Sequence, residues 1–117
     1  MAKILAVEDE ALVRMLIVET LVEAGHDVLE ASDGDQALAI VLETPDLDLI
    51  VTDVRMSKMD GFTLAQAARE ARPGLSVLFM TGYMGTDVPA KMPDAKVMQK
   101  PFDPEDLLAA INLMLRR

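Results

Sequence analysis

The chain has 117 residues, a formal net charge of −9, 51% hydrophobic residues, and neither cysteine nor tryptophan. That length suits a single domain over residues 1–117, and without cysteine there are no disulfides, thiolate metal sites or thiol nucleophiles. Twenty acids against eleven Lys and Arg exclude the positive footprint that nucleic acid requires, and no apolar run approaches a membrane span, so a soluble cytoplasmic protein is expected.

Residues 4–7 form the first short apolar run, which stops at Glu8-Asp9-Glu10. A helical pattern follows and is closed by Gly25. At about 100° per residue, Val13, Leu16, Ile17, Thr20, Leu21 and Ala24 share the face predicted to lie on a sheet. Ala11, Met15, Val18 and Val22 fall on the opposite side, flanked by Arg14, Glu19 and Glu23. The outer side of a helix in a layered fold should be polar, so this stripe is a candidate docking surface for a partner. The next run is 28–31, and Asp33 with Gln36 makes a capping-box-like pair ahead of a helix over 37–42. Run 49–52 leads to a third helix closed by Pro73-Gly74, and run 77–80 follows. Residues 82–94 carry two glycines and two prolines, so the fourth helix there is predicted to be short or irregular. Run 96–99 precedes a last helix opened by Pro104, Glu105 and Asp106. Most runs are continuous rather than alternating, as in strands covered on both faces. Five strand-then-helix units predict an α/β fold, a doubly wound parallel sheet with helices on both faces.

In an open parallel sheet, ligands bind outside the carboxyl ends of the strands. The polar residues that end the runs therefore matter most: Glu8-Asp9 after the first, Asp53 after the third, Thr81 after the fourth and Lys100-Pro101 after the fifth. Any one acid at such a place is explained by helix capping, but the group is not. Three carboxylates brought together repel one another unless a cation sits among them. The donors are all oxygen, and the spacing is not that of a calcium loop, so a hard ion that keeps waters and a phosphoryl ligand, Mg²⁺, fits best. Lys100 adds a positive charge able to pair with a bound anion, and Thr81 a donor for a phosphoryl oxygen. Such a set is suited to placing a phosphoryl group on a carboxylate.

These residues resemble the receiver domain of two-component response regulators over essentially the whole chain. The resemblance rests on Glu8-Asp9, on Asp53 within Val51-Thr52-Asp53-Val54-Arg55-Met56, on Met59-Asp60-Gly61, on Thr81, and on Lys100-Pro101-Phe102. It implies a flavodoxin-like strand order 2-1-3-4-5 and a cis Lys100-Pro101 bond. It also implies that Asp53 is the phosphoacceptor, that Asp9, Asp53 and the backbone carbonyl of Arg55 hold Mg²⁺, and that Glu8 acts mainly through a bound water. The donor would be a phosphohistidine on a histidine kinase or phosphotransfer protein, with Lys100 and Thr81 pairing with the new phosphate. Two positions depart from the family pattern. Val97 stands where receivers usually carry a switch aromatic, and Ser57 replaces a usual proline. Leu78-Phe79-Met80-Thr81-Gly82-Tyr83 resembles the Phe-Ala-Thr-Gly-x-Tyr signature of FATGUY-type receivers, many of them stand-alone, and makes Tyr83 a candidate to take over part of the switch.

Rival classes fare worse. A flavin or dinucleotide carrier needs a phosphate-cradling loop after the first strand, where Glu8-Asp9-Glu10 has the wrong charge and G-x-G-x-x-G is missing. A phosphohydrolase with an Asp nucleophile wants a second acid two residues on, where Arg55 stands. A pseudo-receiver would lack part of the acidic set. Turnover is expected to be limited to slow loss of the chain's own phosphate, tuned by Arg55 and Tyr83. Output would pass to an effector protein, or the chain would act as a phosphate sink or as the receiver portion of a hybrid kinase.

Overall fold

The computed structural model describes residues 2–56, 58–82, 89, 92 and 94–116. Five parallel strands, β1 (Lys3–Val7), β2 (Asp27–Ala31), β3 (Leu49–Asp53), β4 (Ser76–Thr81) and β5 (Lys96–Gln99), form one sheet in the order β2-β1-β3-β4-β5. The described helices are α1 (Ala11–Glu23), α2 (Gly34–Glu43), α3 (Gly61–Ala71) and α4 (Pro104–Leu115). The irregular fourth helix expected within 82–94 lies outside the described residues.

Strand side chains alternate between faces, so each continuous apolar run is divided between two cores. Ile4, Ala6, Leu49, Val51, Leu78 and Met80 pack with Ile17 and Leu21 of α1 and with Leu107, Ile111 and Met114 of α4. Leu5, Val7 and Ile50 pack on the other side with Ala37 and Val41 of α2 and Leu64 and Ala68 of α3. Val77 and Phe79 extend that second layer with Val54, Ala65 and Met92. Phe79 meets Phe62 edge to face, with ring centroids 4.8 Å apart. The continuous hydrophobicity of the central strands is thus the mark of a sheet buried twice.

Local signals set the helix ends. Gly25 has φ +94°, its N–H donates to Val22 O and the N–H of His26 donates to Leu21 O, which is the glycine-terminated reversal that ends α1. Asp33 accepts from the Gln36 N–H at 2.8 Å, while Gln36 Oε1 reaches one residue further back than the capping box requires, to the N–H of Ser32. Asp103 caps α4, with Pro104 at its first turn.

The face assignment of α1 needs correction. Ile17, Thr20 and Leu21 are buried, but Leu16 and Ala24, expected against the sheet, are exposed. Val18, expected on the outer stripe, is half-buried against the core, whereas Ala11, Met15 and Val22 are exposed as expected. The buried arc is turned toward Val18 and Arg14, and the Arg14 guanidinium donates to two oxygen acceptors, the Glu8 carbonyl and the Glu30 carboxylate. Leu12, absent from the expected stripe, is the most open of the large apolar residues on α1, at 78% exposure.

Candidate functional site

The sheet order reverses direction between β1 and β3, and the crevice outside their carboxyl ends is where such a fold offers a site. Val7 pairs with Thr52 and Asp53 with Met80, so β1, β3 and β4 end nearly level. Glu8 and Asp9 leave the end of β1, Asp53 closes β3 and Thr81 closes β4. Carboxylate oxygens of Glu8, Asp9 and Asp53 all lie within 4.8 Å of one another. The acids predicted from the sequence therefore converge on one place.

Lys100 reaches this cluster from the far side of β4. Its backbone N–H donates to Thr81 O at 2.7 Å, which anchors it beside the end of that strand, and the Lys100-Pro101 bond is cis, as the resemblance implied. Its Nζ donates to Glu8 Oε1 at 2.5 Å and lies 3.1 Å from Asp53 Oδ2. Glu8 is buried, and its second oxygen accepts from the Glu10 N–H at 3.1 Å. Burial pushes the Glu8 carboxyl above its ordinary 4.5, and the bonds from Lys100 and the Glu10 N–H offset that only in part. Burial alone would lower the Lys100 ammonium, but its bonds to Glu8 and Asp53 outweigh that and raise it above 10.5. Lys100 is therefore a charged partner shared by two acids.

The loop after β3 is held by close backbone contacts. The Val54 N–H donates to Met80 O, the Gly61 N–H donates to Val54 O, and a Cβ at Gly61 would run into the carbonyl oxygen of Asp53. Only glycine lets α3 start this close to the acid, which gives Asp60-Gly61 its physical meaning. Met59 packs over Gly34 in the same way, where a side chain would press on the Met59 Cβ. Arg55 is exposed in this loop.

The remaining candidates separate. Thr81 is buried at the end of β4, next to the residue that pairs with Asp53. Val97 is half-buried on β5, where it pairs with Phe79 of β4 and packs on the apolar cluster that holds Phe79. Tyr83 and Ser57 lie outside the described residues. Sequence reasoning missed Arg14, whose guanidinium donates to the Glu8 carbonyl, because a lone arginine on a helix reads as a solvated rim.

Three carboxylates with an exposed Asp9 form an all-oxygen donor set open to water, which fits a hard divalent cation. The fold and the site together are suited to accepting a phosphoryl group on a carboxylate beside a bound cation. Residues 4–112 match the family model described as the response regulator receiver domain, and the chain belongs to that family. It is 37% identical to the response regulator receiver protein CpdR of Brucella abortus (strain 2308), covering 98% of each chain. It is 38% identical to the sensor kinase CckA of the same strain, over 99% of this chain but 13% of the kinase. A crystal structure of a response regulator receiver domain protein from Clostridium thermocellum superposes with a TM-score of 0.91 at 30% identity, covering 100% of this chain and 96% of that one. The chain spans about half the length of several matched transcriptional regulators. As a receiver, it serves as a phosphoacceptor in two-component signalling. None of the described helices is long and apolar enough to cross a membrane.

Proposed function

We propose that Asp53 accepts a phosphoryl group from a phosphohistidine on a histidine kinase or phosphotransfer protein, with Mg²⁺ as the cofactor. Asp9, Asp53 and the backbone carbonyl of Arg55 would hold the ion, and Glu8 would act mainly through a bound water. Bound Mg²⁺ supplies positive charge that offsets the charge building on the transferred group. Asp53 attacks the phosphorus through a carboxylate oxygen; an O–P bond forms and the N–P bond breaks, leaving the donor histidine neutral after proton uptake. Lys100, already 3.1 Å from Asp53, pairs with the new phosphate, and the Thr81 hydroxyl donates to a second phosphoryl oxygen. Because Lys100 is shared with Glu8, its move toward phosphate loosens a buried ion pair, and that rearrangement is the signal read by a partner. Loss of the phosphate by slow hydrolysis resets the domain.

The observation that carries this reading is the convergence of Lys100 with three acids at the sheet's switch point. The donor would approach over α1, which exposes Leu12, Met15 and Leu16; Leu16 also lines a groove of about 460 Å³ that Pro104 and Leu108 of α4 bound on the other side. Acetyl phosphate with Mg²⁺ should add the mass of one phosphoryl group to the wild type and nothing to Asp53→Asn. Equal labelling of both would overturn the assignment. The likeness to CckA, a sensor kinase, keeps a second output open, in which the domain relays or drains phosphate within a kinase. A partner captured only by the beryllofluoride-treated protein favours an effector, and capture of a phosphotransfer protein alone favours the relay.

A further inference from the structure

Arg14 is half-buried on the second turn of α1, and its guanidinium spans two other elements. One amino group donates to the backbone carbonyl of Glu8 at 2.8 Å, and Nε donates to Glu30 Oε1 on β2 at 3.3 Å. The Glu8 carbonyl needs such a donor. The β1–β2 ladder closes with Val7 opposite Ala31, and the Glu8 N–H takes the Ala31 carbonyl, so the Glu8 oxygen stands just beyond the regular pairing. That oxygen belongs to the peptide group joining Glu8 to Asp9. The group is planar, so holding its oxygen fixes the direction in which the chain enters Asp9. The Glu8 carboxylate is fixed separately, by Lys100 and the Glu10 N–H.

The geometry points to Arg14 as a positioning residue for the cation site. Braced by Glu30, it locks the Glu8–Asp9 peptide so that the Asp9 carboxylate converges with Glu8 and Asp53. The inference rests on the Mg²⁺ reading above. The forked, planar guanidinium grips a carbonyl and a carboxylate at once, which an ammonium on a flexible stem does less well.

The test is calorimetric titration of Mg²⁺ into the whole chain as wild type, Arg14→Gln and Arg14→Lys, with thermal unfolding in EDTA on the same samples. Charge and positioning predict opposite signs for Arg14→Gln. Deleting a cation beside three acids strengthens Mg²⁺ binding by Coulomb attraction alone, whereas a loosened peptide weakens it. The expected result is a Kd raised about 10-fold in Arg14→Gln, the size typical of partners that orient metal ligands, with a smaller rise in Arg14→Lys. Binding by Arg14→Gln as tight as wild type, or tighter, overturns the inference. Should Arg14→Gln unfold in EDTA, Arg14→Lys decides, because it keeps the charge and loses the fork; an unchanged Kd there overturns the inference. A wild type that takes up no Mg²⁺ removes the metal reading, and this inference with it, and so is a distinct failure.

Discussion

Glu8 is a buried carboxylate that stays in place because Lys100 and a backbone N–H share its two oxygens. Removing the ammonium while keeping the volume, as in Lys100→Met, leaves that acid without a charged partner. Such a loss costs about 2–3 kcal/mol. The cost depends on pH with a definite sign. A carboxyl held above its unfolded value of 4.5 binds its proton more tightly in the folded chain, so its effect on stability worsens as pH rises above 4.5 toward the folded value. Lys100→Met, which pushes Glu8 further up, should therefore lose more stability near neutral pH than near pH 4.5. Urea unfolding in EDTA at both pH values checks this, and a uniform loss would contradict it. At this scale the sequence shows residue types well. Glu8, Asp9, Asp53, Thr81 and Lys100 were all legible because each ends an apolar run. The link from Arg14 to the Glu8 carbonyl was not legible, because it depends on where a peptide oxygen points after the last ladder pair.

Elements were legible where turn chemistry and periodicity agreed. All five strands fall within two residues of the apolar runs, and Gly25, Asp33 and Pro104 mark helix ends for the reasons their backbones demand. The rotation of α1 about its own axis was harder to read, since its apolar residues lie nearly all round. In the structure Ile17 and Leu21 are buried in the core, Val18 and Arg14 are half-buried and Leu16 is exposed. The docking test belongs here and must use the observed face. Leu12→Glu with Met15→Glu should slow transfer from a phosphohistidine donor about 10-fold or more, if these side chains anchor a partner helix. Phosphorylation by acetyl phosphate should be unchanged. An equal fall in both reactions would place the damage at the site rather than at docking.

At the scale of the whole molecule, acidic chemistry gathers at one end of the sheet and a histidine anchors the other. His26 is the chain's only histidine; its Nδ1 accepts from the Ala2 N–H at 3.1 Å, next to the start of β1. Burial, first of all, holds its pKa below 6.5. A lowered folded value means that the unfolded chain binds the proton more readily. The stabilising effect is therefore complete above 6.5 and is lost as pH falls through the folded value. His26→Asn keeps an acceptor without the titration, so its unfolding midpoint should fall less between about pH 7 and pH 5 than that of wild type. Equal falls would contradict this. The overall architecture was legible for a physical reason: a sheet covered on both faces writes unbroken apolar runs, and parallel strands need helices between them.

The central claim is that Asp53 becomes an acyl phosphate within a cation-binding cluster of acids. Borohydride reduces an acyl phosphate to an alcohol, so treatment after acetyl phosphate, followed by peptide mapping, reports the modified residue directly. The account predicts homoserine at position 53 in the presence of Mg²⁺ and none in EDTA. Homoserine at another acid, or at position 53 regardless of the cation, would contradict it.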